Sequence, residues 1–223
     1  MITADQLETF RAKTRWKTKL GDIRFSAEDA DRLFFTSDTH FNHANILGFC
    51  GRPFKDTKEH DEELVRRWNE KVSADDLVFH LGDVCFGNYE HNRDVLDRLN
   101  GNIYLILGNH DMRDVRTKYK DRFVGISMQA LINVDGQQII LNHCPLACFP
   151  GSYRKKPVWQ LYGHVHTSPY SEGVDVKRLI GNGALFPSQY DVGVDNNDFR
   201  PVSYRELQDI IQKRIDLNRQ EGI

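Results

Sequence analysis

The chain is predicted to be an α/β (α+β) protein, a four-layer β-sandwich of two mixed sheets flanked by helices. Two observations carry that expectation. In the first half, short apolar runs alternate with amphipathic stretches in the order strand, helix, strand, helix, strand, the pattern of parallel strands under covering helices. In the second half strand-like runs continue, but the helical stretches between them shorten or vanish, as expected for a second sheet stacked on the first.

Taken in order, Thr3-Ala4-Asp5-Gln6 fits a capping box and predicts a short helix to about Thr14. Six basic residues (Arg11, Lys13, Arg15, Lys17, Lys19 and Arg24) follow, a pattern that is ordinarily a solvated face. Leu33-Phe34-Phe35-Thr36-Ser37 is the first strand, followed by a loop with a short helical turn over 41–56. Asp56-Thr57-Lys58-Glu59 starts a helix with Leu64, Val65, Trp68 and Val72 on one face. Leu77 to Leu81 is the second strand. Asn92 is the expected cap of a helix burying Val95, Leu96 and Leu99 and ending at Asn100-Gly101. Ile103 to Leu107 is the third strand. Asp135-Gly136 predicts a tight turn between Leu131–Val134 and Gln138–Leu141. Val158–Tyr162 and Tyr190–Val194 read as further strands. Ser203-Tyr204-Arg205-Glu206 is a capping box opening a last helix, with Leu207, Ile210, Ile211, Arg214 and Ile215 on its packed face.

At 223 residues the chain is expected to form one domain over 1–223, with an amino-terminal extension (1–32) and a carboxy-terminal helix (203–222). Hydrophobic content of 39%, charged content of 28% and a net charge of −2 fit a soluble protein with no global pull toward nucleic acid or membrane. No apolar run is long enough to span a bilayer, and the amino terminus lacks a signal pattern, so a cytoplasmic location is expected. Cys50, Cys85, Cys144 and Cys148 are too few and too scattered for a disulfide framework and read as reduced thiols. Trp16, Trp68 and Trp159 read as packing residues.

Function is concentrated where the apolar runs end. Asp38-Thr39-His40, Gly82-Asp83, Gly108-Asn109-His110-Asp111, Asn142-His143 and Gly163-His164-Val165-His166 each follow a strand-like run. Imidazole, carboxylate and amide oxygen together suit Mn²⁺, Fe²⁺, Zn²⁺ or Ni²⁺. The absence of thiolates from these clusters argues against a structural zinc site, and the imidazoles argue against a Ca²⁺ or Mg²⁺ cage. The donors outnumber what one ion takes, so two ions bridged by one carboxylate use them best. In an extended His164-Val165-His166 the two imidazoles point to opposite sides and serve two metals. Asp111 follows His110 directly and is placed to orient its imidazole.

The series Asp38-x-His40, Gly82-Asp83, Gly108-Asn109-His110-Asp111, His143 and Gly163-His164-x-His166 resembles the calcineurin-like metallophosphoesterase superfamily. Asp38-Thr39-His40-Phe41-Asn42-His43, Arg52-Pro53-Phe54, His80-Leu81-Gly82-Asp83 and Val192-Gly193-Val194-Asp195 with Arg200-Pro201-Val202 are similar to a compact prokaryotic and phage branch of it. The resemblance implies a β-sandwich with a dinuclear centre. Asp38, His40, Asp83 and His166 would hold one ion, and Asp83, Asn109, His143 and His164 the other. Mn²⁺ is the first expectation for the metal, with Fe, Zn or Ni as alternatives.

Two such ions lower the pKa of a shared water from 15.7 toward ~7 and neutralise charge on a phosphoryl group. The expected activity is hydrolysis of a phosphodiester or phosphomonoester, the diester favoured. His110 is then the candidate general acid, with Asp111 fixing its tautomer. His43 and Arg52 are candidate substrate contacts, Arg52 as a guanidinium fork for phosphate. His80 is read as a core residue or a support behind the site, and His60 and His91 as surface residues. The expected partner is a small phosphorylated substrate or nucleotide, with no membrane. Nuclease action on DNA or RNA, a catalytically silent metal-bound module and a homodimer are the alternatives kept open.

Overall fold

The computed structural model describes residues 23–111, 118–167 and 185–220. The expected helix over residues 3–14, Trp16 and the basic residues before Arg24 lie outside the described residues.

Two five-stranded mixed sheets form the frame. The first runs β10 (Val202–Ser203), β2 (Leu33–Thr36), β3 (Leu77–His80), β4 (Asn102–Ile106), β5 (Phe123–Ser127). Strands β2 to β5 are parallel and β10 is antiparallel at the edge. The second runs β1 (Ile23–Phe25), β6 (Gln129–Val134), β7 (Gln137–Asn142), β8 (Trp159–Tyr162), β9 (Gln189–Asp191). Among the described residues its only antiparallel pair is the β6–β7 hairpin, turned by Asp135 (φ 48°) and Gly136 (φ 80°) as the sequence predicts. Because β1 pairs in parallel with β6, residues 23–25 of the expected extension are an edge of the sheet. The last predicted strand is shorter than expected, ending at Asp191, after which Val194–Asn196 form a 3₁₀ turn.

The all-apolar strands sort their side chains by period two. Leu33, Phe35, Leu77, Phe79, Tyr104 and Ile106 point between the sheets, meeting Ile132, Val134, Ile139, Leu141, Trp159 and Leu161. Phe34, Val78, Ile103 and Leu105 point the other way. There they are covered by α2 (Thr57–Lys71) and α3 (Tyr89–Arg98), through Leu64, Val65, Trp68, Val95 and Leu96. Phe79 is fully buried against Phe35 and Tyr104, and truncating such a side chain costs about 3–5 kcal/mol. The short turn after β2 is α1 (Ala44–Phe49).

Helix ends follow the expected chemistry with one change. Asp56 caps α2 by accepting from the Glu59 N–H at 2.8 Å. The cap of α3 is Asn88, which accepts from His91 N–H at 3.0 Å, and not Asn92. Asn92 lies inside the helix and donates to the Phe86 carbonyl at 2.8 Å, pinning the loop after β3. The apolar period resumes only at Val95, which made the later Asn look like the boundary. At α4 (Tyr204–Gln220) the reciprocal capping box forms, Ser203 N–H to Glu206 Oε2 at 2.8 Å and Glu206 N–H to Ser203 Oγ at 3.2 Å. Leu207, Ile211 and Ile215 of α4 join the inter-sheet core, closing one side of the sandwich. No helix among the described residues is long and apolar enough to cross a membrane.

Candidate metal centre

The carboxyl ends of β2, β3 and β4 and of β7 and β8 open onto one place, where parallel strands of open sheets commonly bind ligands. Each loop there bends sharply. Among the described residues nine non-glycine residues have positive φ, and six of them are Asp38, His40, Asn42, Asp83, His164 and His166. A non-glycine residue in the left-handed region costs of order 1–3 kcal/mol and persists where its surroundings over-determine it. Here they do. Asp38 N–H donates to Gly82 O at 2.9 Å, His40 N–H to Asp83 O at 3.0 Å, and Gly163 N–H to His143 O at 2.8 Å. His164 and His166 are therefore not in an extended segment as the sequence reading supposed. They still diverge, His164 toward His143 and His166 toward His40, each pair with ring centroids 5.1 Å apart.

Two glycines make the approach of these loops feasible. A Cβ on Gly108 would fall onto the Asp83 carboxylate, and one on Gly163 onto Ser37 Oγ and Asp38 Oδ2.

Among the described residues the donor atoms converge in four overlapping groups, Asp38–His40–His166, Asp38–Asp83–His143, His143–Cys144–His164 and Cys50–His166–Asp195, within each of which they lie within 4.8 Å of one another. Asp83 Oδ2 stands 3.7 Å from His40 Nε2 and 3.4 Å from His143 Nε2, so this carboxylate lies between the groups. Three imidazoles turn Nε2 inward because Nδ1 is engaged behind them. His143 Nδ1 bonds Leu81 O at 2.7 Å, His166 Nδ1 bonds Asp195 Oδ2 at 2.8 Å, and His40 Nδ1 meets His43 Nδ1 at 3.2 Å. Such outer partners orient ligating imidazoles.

These residues fit divalent cations on their own chemistry. Asp38 Oδ1 and His40 Nε2 are buried polar atoms with no hydrogen-bond partner, 3.9 Å apart, and His166 Nε2 is 3.7 Å from the same oxygen. A buried carboxylate oxygen left unpaired is costly unless a cation faces it. Burial pushes the Asp38 carboxyl above its ordinary range, against the opposing pull of His166 and His143. Burial also disfavours charge on the two imidazoles. Even so, the bond to Asp83 and the charge of Asp38 carry His143 up to about 8, and the bond to Asp195 carries His166 up to about 11. His40, buried and near Arg52, is driven strongly down and stays a neutral donor. Burial lowers His43 and His164 as well, so positive charge gathers on His143 and His166, the two imidazoles paired with carboxylates.

Other expected site residues divide. Asn109 Oδ1 lies 2.9 Å from His143 Nε2, within the group. His110 is at the rim, with a side chain 47% exposed and Nε2 4.0 Å from Asp83 Oδ2. His43 is half-buried, its ring stacked 4.0 Å from Phe86. Asp111 does not orient His110. Its carboxylate accepts from the backbone N–H groups of Asp83 (2.7 Å), Val84 (3.0 Å) and Gly108 (2.8 Å), bracing the β3 and β4 loops together. Arg52 is no phosphate fork, because it is buried with every arm engaged. It donates to both oxygens of Asp195 at 2.8 Å, to Asp38 O at 2.7 Å and to Thr39 O at 3.0 Å, and meets His60 at 2.8 Å. His60 is fully buried, contrary to the expected surface position, because Asp61 and Arg52 hold its two ring nitrogens. His91 stands half exposed, bonded to the other Asp61 oxygen at 2.8 Å. His80 sits behind the site, 3.0 Å from Thr39 Oγ1.

Asp191 carries no signal in the sequence that marks it as a site residue. Asp191 is buried, accepts from the N–H groups of Gly193 (2.8 Å) and Thr167 (3.2 Å), and is pushed up to about 7 by burial and by Asp38. Cys144, expected to be simply a reduced thiol, has its sulfur within 4.8 Å of donor atoms of His143, its neighbour in the chain, and of His164.

Two stacked mixed sheets with His and Asp donors gathered at the strand ends define an α/β sandwich with a candidate metal site. The family model of the calcineurin-like phosphoesterase superfamily domain matches residues 32–191, and the chain belongs to that family. An uncharacterized protein of Methanocaldococcus jannaschii is 31% identical over 82% of this chain and 92% of its own length. The gene 66 protein of Mycobacterium phage L5 is 27% identical over 85% of this chain and 97% of its own. Among solved structures, an Aquifex aeolicus protein of unknown function superposes with a TM-score of 0.63 at 25% identity, over 80% of this chain and 98% of that one. The family makes the protein a metal-dependent phosphoesterase in general, a hydrolase acting on ester bonds.

Proposed function

We propose that this chain hydrolyses phosphodiesters, of a small phosphorylated metabolite or nucleotide, using two divalent cations. Asp38, His40, Asp83 and His166 would hold one, and Asp83, Asn109, His143 and His164 the other, with Mn²⁺ the first candidate. The observation that carries this reading is the orphaned pair Asp38 Oδ1 and His40 Nε2 in a buried pocket that the fold strains its backbone to form. When bound, the cations supply charge neutralisation and an acidified water for in-line attack.

The chain's own residues do the rest. Asp195 and the Leu81 carbonyl hold His166 and His143 in the ring orientation a cation needs. Asp83 is placed to be shared. His110, 47% exposed and 4.0 Å from Asp83 Oδ2, would give a proton to the departing alkoxide. An acid there would serve esters with poor alkoxide leaving groups, diesters and monoesters alike.

The test is a metal-titrated screen of phosphomonoesters, phosphodiesters, cyclic nucleotides and short oligonucleotides. Diester turnover that requires metal and exceeds monoester turnover supports the reading. Inertness across the panel with both ions bound would overturn it in favour of a silent metal-bound module.

A further inference from the structure

We propose that Cys144 is a thiolate donor to the cation held between His143 and His164, which makes that position select thiophilic ions. The inference rests on the reading that these two imidazoles hold a metal, and adds to it a ligand of different chemistry.

Geometry places the thiol there. The donor atoms of His143, Cys144 and His164 lie within 4.8 Å of one another. The backbone around Cys144 is held on both sides: its N–H donates to Asn142 Oδ1 at 3.0 Å, and its carbonyl accepts from Gln160 Nε2 at 3.0 Å. Gln160 is fully buried, so the anchor is rigid. Cys144 itself is exposed, next in the chain to the buried His143, so rotation about Cα–Cβ could bring its sulfur onto an ion. Metal–sulfur and metal–imidazole bonds of about 2.3 and 2.0–2.1 Å require only a small approach from the observed spacing.

Charge balance favours the same assignment. In the assignment proposed above, the position at His40 and His166 takes the Asp38 carboxylate and shares Asp83. The position at His143 and His164 has a neutral amide in Asn109 and shares Asp83. A thiolate supplies the missing negative charge there. On binding, the Cys144 S–H bond breaks, its proton passes to solvent, and a metal–sulfur bond forms with no change of oxidation state. Soft thiolate with imidazole selects Zn²⁺ or Fe²⁺ over Mg²⁺ and Mn²⁺.

The test titrates metal-free protein with Co²⁺ and follows its visible ligand-field bands together with the near-ultraviolet thiolate-to-cobalt charge-transfer band. The expected result is two ions bound and a charge-transfer band from one of them. That band disappears in Cys144→Ser and persists in Cys148→Ser, with circular dichroism unchanged in both. Calorimetry with Zn²⁺ should show one of the two sites weakened about tenfold or more in Cys144→Ser, while Mn²⁺ affinity changes by less than about twofold. Two bound Co²⁺ ions without the band, or a band that survives Cys144→Ser, overturns the thiolate and leaves the two-cation reading standing. No bound Co²⁺ overturns both.

Discussion

Arg52 illustrates how much of this site is held from behind. Its guanidinium is buried between Asp195 and the carbonyls of Asp38 and Thr39, and Asp195 in turn holds His166. Arg52→Ala leaves the Asp195 carboxylate buried with one partner fewer and frees the strained Asp38–His40 turn. Breaking a buried pair costs about 3–5 kcal/mol, or roughly 10 °C in melting temperature for a chain of this size. Arg52→Lys should recover part of the stability, since an ammonium cannot span both Asp195 oxygens and two carbonyls. A melting shift of less than about 2 °C for Arg52→Ala in scanning fluorimetry would refute the bracing role. His110 is the opposite case, exposed and away from the buried donors. His110→Ala should keep its metal content by elemental analysis. It should lose ~10²–10⁴-fold in rate on diesters with poor leaving groups, and much less on activated aryl esters. Equal losses on both kinds of ester contradict an acid role.

At the scale of elements, the turns after the strands carry the function, and they need residues that let backbones touch. Gly163→Ala would drive a methyl into Ser37 and Asp38 at the end of β8, forcing apart the two sheets' loops. The expected outcome is metal binding weakened more than about tenfold by calorimetry with far-ultraviolet dichroism preserved, since β8 itself is untouched. Unchanged affinity would show that the loops yield without disturbing the donors. These same turns explain what could be read from the residues alone. Strands of continuous Leu, Val, Ile and Phe, the Asp135-Gly136 turn and the Ser203–Glu206 box are local signals, and each appears where local chemistry puts it. Asp38, Asp83, His143 and His166 were legible because a polar group at a strand end has few structural uses. The rest needed the third dimension. Arg52 and Asp195 are 143 positions apart and pair only once the sheets have stacked. Asp111 looked like a partner for its neighbour His110, yet its carboxylate turns back to three backbone amides, whose demand for an acceptor no side-chain pattern reveals.

For the whole molecule, the site and the fold share one free energy. The donors come from both sheets, Asp38, Asp83 and Asn109 from one, His143, His164 and His166 from the other, so a cation among them ties the sandwich together across its open end. An unfolded chain scatters these donors and binds weakly, so each cation of the proposed centre would stabilise the native state by RT ln(1 + [L]/Kd), about 2.7 kcal/mol at a hundredfold excess over Kd. For a chain of 223 residues, that amounts to roughly 5–10 °C per ion. Melting the protein in excess Mn²⁺ and again after chelation should show a fall of this size, reversible on adding metal back. Asp38→Asn should respond differently, because it removes a buried negative charge that only a cation satisfies. Its metal-free form should melt at or above the chelated parent, and added Mn²⁺ should raise it by less than half as much. A parent protein whose melting point ignores both chelator and metal would mean that the strained turns are not held for ions at all.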